Sequence, residues 1–242
     1  MAQLCRVLLE DPDLASGLEG RRLEHAQQEC LATRVVVERG IWRPEQAEGE
    51  AARGGIGLLI FDGLLVRRVG GERRYGAELL GPGDLLRPWE HDGEDNTLPF
   101  ETSFRVIERM DLAILDPKAA ARIAQYPEVV GALVGRAMQR ARHFAVSMAI
   151  AHYPRIDRRL LLFLWHLADR WGRVTPEGVR IPMRLTHTLL ADLVAAQRPS
   201  VTTALAQLEH EGHIVRHDKI IVLSGEPPGD FHEAGVAAQP SA

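Results

Sequence analysis

The sequence predicts an α+β chain with an N-terminal antiparallel β-barrel or jelly roll, a long helix, and a C-terminal helix-turn-helix closed by a hairpin wing. Three observations predict it. Residues 32–116 are short apolar runs broken by turn residues, residues 128–153 contain no proline, and residues 185–223 hold two amphipathic helical stretches followed by two strand-like runs.

Within the first part, 32–37, 56–61, 64–69, 75–80, 102–107 and 112–115 are strand candidates. Asp62-Gly63 lies between two of them and favours a tight hairpin, because glycine accepts positive φ. Gly70-Gly71 and Gly81-Pro82-Gly83-Asp84 are further turns. Many short strands at this spacing imply a closed barrel or jelly roll. Residues 87–99 interrupt the pattern as a loop. Ahead of the strands, Leu14, Leu18, Leu23, Ala26 and Cys30 have helical spacing, which predicts one or two short helices over 12–30.

Pro117 opens a helical stretch and Pro127 restarts it, leaving about 25 residues for one helix before Pro154. Val134, Met138, Ala141, Ala145 and Met148 step by four and three, and Val130, Leu133, Ala137 and Phe144 form a second stripe beside them. A helix apolar on two faces needs two partners. One is the barrel, and the other is most simply the same helix of a second subunit; a core helix within one subunit is the alternative. Beyond Pro154, residues 156–171 form an amphipathic helix burying Leu160, Leu161, Leu164 and Leu167. Gly172, Pro176 and Gly178 then bracket two short strands, at Val174 and at 179–181. The expected divisions are therefore 1–117, a linker and dimerisation helix at 118–153, a winged domain at 154–223, and a disordered tail at 224–242, rich in Gly, Pro, Ala and Glu.

Composition narrows the function. The chain has 242 residues, 45% of them hydrophobic, and no run approaches 18 consecutive apolar residues, so no membrane-spanning helix is expected. Met1-Ala2-Gln3-Leu4-Cys5-Arg6 does not open a signal peptide, and two cysteines are too few for a disulfide framework or a four-thiolate cluster. A reduced, cytoplasmic protein is expected. The net charge of −4 conceals an asymmetry: residues 1–117 carry −8 and residues 118–223 carry +7. Only the second region suits a polyanion.

Thr186 is a natural N-cap for a short helix whose inner face is Leu190, Leu193 and Val194. A tight turn through 195–197 leads to a second helix, 198–210, with Pro199 in its first turn and Val201, Ala204, Leu205 and Leu208 inside. That leaves Arg198, Ser200, Thr203 and Gln207 outward on one strip, small or hydrogen-bonding side chains suited to base edges in a major groove. Gly212 ends the helix. Residues 214–216 and 220–223 then make a hairpin turning at His217-Asp218-Lys219, and Lys219 at its tip suits backbone phosphate.

Residues 185–223 resemble the winged helix-turn-helix of the cyclic-AMP receptor protein / fumarate–nitrate regulator (CRP/FNR) superfamily, without gaps from Thr186 through Arg198 to the His-x-Lys wing at 217–219. Barrel, long helix and winged domain fall in the same order, so the resemblance covers residues 32–223 and is most specific in the C-terminal third. It implies a homodimeric transcription regulator, joined through 127–151, that binds a two-fold symmetric operator on double-stranded DNA and touches RNA polymerase. It assigns base reading to Arg198, through guanine O6 and N7, and phosphate contacts to Thr186, Gln197 and Lys219; Thr202, on the same helix, joins them as a backbone candidate. Pro199 and Thr203 stand where the founding member has glutamate and arginine, so its operator sequence does not carry over.

The resemblance also implies a cyclic-nucleotide-binding-like first domain. Family members that bind cyclic AMP carry Gly-Glu-Leu after the Gly-Asp turn and Arg-Ser or Arg-Thr about ten residues later, glutamate for the ribose and arginine for the phosphate. Here Gly83-Asp84 is followed by Leu85-Leu86-Arg87-Pro88-Trp89, and Phe100-Glu101 falls near the second motif. A carboxylate opposes phosphate, so the expected effector is not cyclic AMP and is potentially absent altogether. Arg87, Trp89 and Arg105 are the candidates for another anionic or aromatic ligand; the favoured alternative is that Trp89 plugs the barrel and both arginines are solvated. Ten histidines leave haem open without singling one out, and no cofactor is expected. His210, His213 and His217 cluster near the wing without zinc-site spacing. No nucleophile elbow or P-loop occurs, and Gly54-Gly55-Ile56-Gly57 precedes a strand rather than a helix, so an enzyme is not expected. The rival from another class is a ligand-gated regulatory protein whose helical domain docks on a protein partner.

Overall fold

In the computed structural model, which describes residues 3–44, 48–71, 74–88 and 100–229, the chain forms two compact units, Met1–His143 and Phe144–Ala242. The first begins with strand β1 (Gln3–Arg6), helix α1 (Val7–Glu10), a 3-10 turn (Pro12–Ala15) and helix α2 (Gly20–Glu29). Strands β2 (Leu31–Val37) and β3 (Gly40–Trp42), helix α3 (Glu48–Ala52), and strands β4 (Gly57–Gly71), β5 (Arg74–Leu80), β6 (Leu85–Leu86) and β7 (Glu101–Leu115) follow. All pairings are antiparallel, in the order β1-β2-β7-β4-β5, with β3 also on β7 and β6 also on β4.

Alternation along β4 and β7 sends side chains to two separate apolar layers. Leu58, Ile60, Leu112 and Ile114 enter one, with Trp42, Leu65, Phe104 and Met110. Leu59, Ala113 and Leu115, the intervening residues, enter the other with Val7, Leu8, Leu14, Ala26, Ile123, Val129 and Leu133 from the helices. Burial on both faces explains why these segments are continuous apolar runs in the sequence rather than alternating ones.

Two expectations are corrected. The sheet is not a closed barrel: among the described residues its strand order is an open path, ended by β1 and β5. Two 15-residue strands, β4 and β7, form its centre with five shorter strands beside them, and closing a ring requires enough tilted strands to bring its two ends into register. Asp62-Gly63 is not a hairpin turn but a bulge inside β4, with register shifts between Ile60, Asp62, Leu64 and Leu65 against β7. Gly63 has φ +94° and packs against the Arg109 carbonyl and Met110 Cα, where a Cβ has no room. Positive φ was the right inference, but bulges use it as readily as turns. Gly70-Gly71 likewise ends β4, paired with Tyr75 and Arg74.

Asp116 caps helix α4 (Pro117–Ile123), accepting from the Ala119 amide at 2.7 Å with Pro117 in the first turn. Helix α5 (Pro127–Ala151) is one 25-residue element, as the proline spacing predicts. Val129 and Leu133 bury against the sheet side of the first unit, and Arg140 reaches Glu78 and the Leu85 carbonyl. Val134, Met138 and Met148 are 53%, 69% and 53% exposed, and Ala141 and Ala145 between them are exposed too. Of the second stripe, Leu133 is buried while Val130 and Phe144 face outward. Among the described residues no helix is long and apolar enough to cross a membrane.

The second unit contains helix α6 (Ile156–Trp171), strands β8 (Arg173–Thr175) and β9 (Gly178–Ile181), helices α7 (His187–Leu193) and α8 (Arg198–His210), and strands β10 (Ile214–His217) and β11 (Ile220–Leu223). The four strands form one antiparallel sheet in the order β10-β11-β9-β8. Leu160, Leu161, Leu164 and Leu167 of α6 are all buried. Residues 224–229 hold no helix or strand, and the rest of the expected tail, 230–242, lies outside the described residues.

Candidate nucleic-acid interface

Helix α7 starts at Thr186, whose hydroxyl accepts from the Leu189 amide at 3.2 Å. It stops at Val194. Ala195 has φ +50°, and the Ala196 amide donates to the Ala191 carbonyl at 2.9 Å, a Schellman-like closure that normally takes glycine. Arg159 of α6 completes this turn. Its guanidinium donates to the carbonyls of Val194 at 2.8 Å and Ala195 at 3.2 Å, and to that of Tyr153.

Helix α8 leaves this turn with Gln197 as its N-cap and Pro199 in its first turn. Val201, Ala204, Leu205 and Leu208 are its buried residues, as its spacing predicts. Arg198, Thr202, Thr203 and Gln207 are exposed, and Ser200 is half-buried. Two hydroxyls on the strip satisfy themselves within the helix, Thr202 donating to the Arg198 carbonyl at 3.0 Å and Thr203 to that of Pro199 at 3.3 Å. The Gln207 amide donates to Glu211 at 2.6 Å. Arg198 makes no ion pair among the described residues.

Strands β10 and β11 pair from Ile214↔Leu223 to His217↔Ile220, so Asp218 and Lys219 form the tip, with Asp218 at φ +58°. Asp218 accepts from Arg184 at 2.7 Å, while Lys219 is exposed and makes no ion pair among the described residues. The Lys219 carbonyl accepts from the Leu185 amide at 2.9 Å, tying the wing to the start of α7.

Between these elements lies a groove of about 300 Å³, lined by Thr186, His187, Thr188, Arg198, Arg216 and Lys219 over an apolar floor that includes Leu205 and Ile221. Arg216 is held from the side by Glu209, its Nε 3.0 Å from the carboxylate. The Arg216 partner pulls the Glu209 carboxyl below its usual range. Desolvation, then the charges of Arg216 and Arg198, push the His187 imidazole below the usual histidine range. Asp218 also lines the groove but is paired with Arg184, so three cations and two threonines remain to suit an anion with several oxygens.

The structure thus brings Thr186, Arg198 and Lys219 together, with Ser200, Thr202, Thr203 and Gln207 along the same helix. Sequence reasoning missed Arg159, His187 and Arg216. An arginine on an amphipathic helix and a histidine after a cap look solvated in sequence, and only folding shows what they meet. Of the effector candidates, Arg87 follows β6 and Arg105 lies on β7, both exposed, while Trp89 lies outside the described residues. His210, His213 and His217 are exposed, and no group of three or more His, Cys, Asp or Glu side chains is placed to hold a metal ion among the described residues. Cys5 and Cys30 are free and buried, their thiols pushed up to about 11 mainly by desolvation.

Residues 158–226 match the model of the Crp-like helix-turn-helix domain. A stretch of 102 residues is 30% identical to the CRP-like cAMP-activated global transcriptional regulator of Mycobacterium tuberculosis, covering 42% of this chain and 46% of that protein, less than half of either. Among solved structures, a CRP-family transcriptional regulator from Thermus thermophilus is similar over 85% of this chain and 98% of its own, with TM-score 0.55 and 22% identity. FixK2 from Bradyrhizobium japonicum is similar over 87% and 99%, with TM-score 0.59 and 16% identity. At these identities the two structures speak for the fold: an antiparallel sheet domain, helices and a C-terminal helix-turn-helix.

Proposed function

We propose that this chain is a CRP/FNR-superfamily DNA-binding transcription regulator that grips a two-fold symmetric operator as a homodimer through the recognition helix 198–210. The observation that carries it is the exposed strip of α8, headed by an arginine without an ion pair and flanked by a cationic groove. Arg198, Ser200, Thr203 and Gln207 read base edges, and Thr186, Gln197, Thr202 and Lys219 hold the backbone. The exposed stripe of Val134, Met138, Ala141, Ala145 and Met148 supports pairing of α5 with its copy. Two recognition helices then address major-groove sites about 34 Å apart. The protein binds rather than catalyses, works in the cytoplasm, and contacts RNA polymerase once seated on DNA.

The M. tuberculosis relative is cAMP-activated by name. We do not assign cyclic AMP here, because Arg87-Pro88-Trp89 and Phe100-Glu101 replace the carboxylate and arginine that such a ligand needs. Arg87, Trp89 and Arg105 are where a different anionic effector would be sought.

A mobility shift with genomic fragments tests this function. Affinity falls steeply as salt rises, because each phosphate neutralised releases condensed counterions. Binding with little salt dependence, or none at all, points instead to a helical domain that docks on protein.

A further inference from the structure

The groove beside the recognition helix contains a histidine whose tautomer is dictated by its neighbours. His187 Nδ1 lies 2.9 Å from Thr202 Oγ1. That hydroxyl has a single proton, which it donates to the Arg198 carbonyl at 3.0 Å. Toward His187 it therefore accepts, so Nδ1 carries the imidazole proton and Nε2 holds the bare lone pair. The ring is thereby tied to the first turn of α8, next to the arginine assigned to base reading.

The groups around the ring are mostly cationic or neutral, and the one lining carboxylate, Asp218, is paired with Arg184. From α8 come Arg198 and Thr202, from β10 Arg216, and from the wing Lys219 and Asp218; Thr186 and Thr188 flank the ring on its own segment. Asp218 is paired with Arg184, and the carboxylate nearest Arg216, Glu209, holds that arginine. Protonating Nε2 in the free groove adds a further positive charge to a set whose lining carboxylate, Asp218, is already engaged by Arg184. Desolvation first, and then the charges of Arg216 and Arg198, push the imidazole below the usual histidine range.

We propose that the groove is a phosphodiester site in which His187 and Arg216 join Arg198 and Lys219, and that His187 takes up a proton at Nε2 as a DNA phosphate enters. This rests on the DNA-binding function proposed above and adds to it a proton linked to binding. The phosphate brings the missing negative charge, so the imidazolium becomes favourable and its second N–H donates to a phosphate oxygen. Because the proton is bound more tightly in the complex than in the free protein, affinity rises as pH falls through the interval between the two pKa values and is level outside it. Phosphates are present at every step of a duplex, so the effect is independent of base sequence.

The experiment measures the affinity of the full chain for a mixed-sequence duplex across about pH 6 to 8, at fixed and then varied salt, for wild type, His187→Gln and His187→Arg. The wild type gains up to tenfold in affinity per pH unit per protomer, the limit for one proton. His187→Gln has a shallower slope than the wild type, and His187→Arg binds tightly with that same shallow slope. Salt-dependent binding with equal pH slopes in wild type and His187→Gln overturns proton uptake while leaving DNA binding intact. Absence of salt-dependent binding at every pH overturns the DNA function, and this inference with it. Nitrogen-15 NMR of the free protein gives an independent reading: the Nδ1–H tautomer at His187 is expected, and the Nε2–H tautomer overturns the proposal.

Discussion

Arg159 donates to the Val194 carbonyl at 2.8 Å, so a side chain of α6 closes the turn from which the recognition helix departs. The same guanidinium reaches the carbonyl of Ala195, a main-chain acceptor just past the end of α7, and that of Tyr153, just past the end of α5. Lysine cannot span these acceptors in one plane.

Arg159→Met therefore removes charge-assisted bonds to three carbonyls while keeping the apolar stem. A stability loss of about 2–3 kcal/mol is expected, read by denaturant unfolding. DNA affinity falls more than this change in folded fraction explains, because the departure angle of α8 is no longer fixed. Unchanged stability would mean that the turn holds without Arg159.

Glu78 lies between two arginines, accepting from Arg140 at 2.8 and 2.9 Å and pairing with Arg67 at 3.0 Å, all three side chains less than one-fifth exposed. Desolvation lowers the Arg67 pKa, Glu78 opposes that shift, and Arg140 adds to it. Glu78→Gln leaves two buried guanidiniums side by side, and about 3 kcal/mol of destabilisation is expected. Thermal unfolding of the full chain checks this, the loss appearing in the transition of the N-terminal unit.

Much of this architecture was legible because local signals agreed. Proline spacing predicted α5, and in the second unit four consecutive inward positions of α8 matched their period. Thr186 and the wing residues fell where cap and turn chemistry put them. The sheet was less legible. A glycine with positive φ marks a bulge as readily as a hairpin, so Asp62-Gly63 divided one long strand into two. Short edge strands such as β1, β3 and β6 have too few residues for a period to show. His187, Arg159 and Arg216 escaped notice because their roles come from partners distant in sequence, which neither spacing nor composition encodes.

The exposed α5 stripe predicts a dimer that one charge disrupts. Met138, 69% exposed at the middle of the stripe, would meet its own copy in the proposed parallel pairing. Met138→Glu places two carboxylates opposite each other, so sedimentation should shift from dimer to monomer at micromolar concentration, with loss of two-site DNA binding. A wild type that sediments as a monomer in the presence of DNA would contradict the dimer.

The proposed role of Lys219 is to hold phosphate without reading sequence. Lys219→Ala should weaken binding to all duplexes alike and reduce the slope of log affinity against log salt by about one. A change confined to particular sequences would place Lys219 in a groove instead.

The central claim is that the outward strip of α8 reads base edges, and Arg198 tests it most directly. Its affinity should be measured, as wild type and as Arg198→Ala, on a duplex selected from genomic fragments and on that duplex substituted at each base pair in turn. A loss of about 1–3 kcal/mol, with preference relaxed at one base pair in each half-site, is predicted. Equal affinities with unchanged preferences would contradict it.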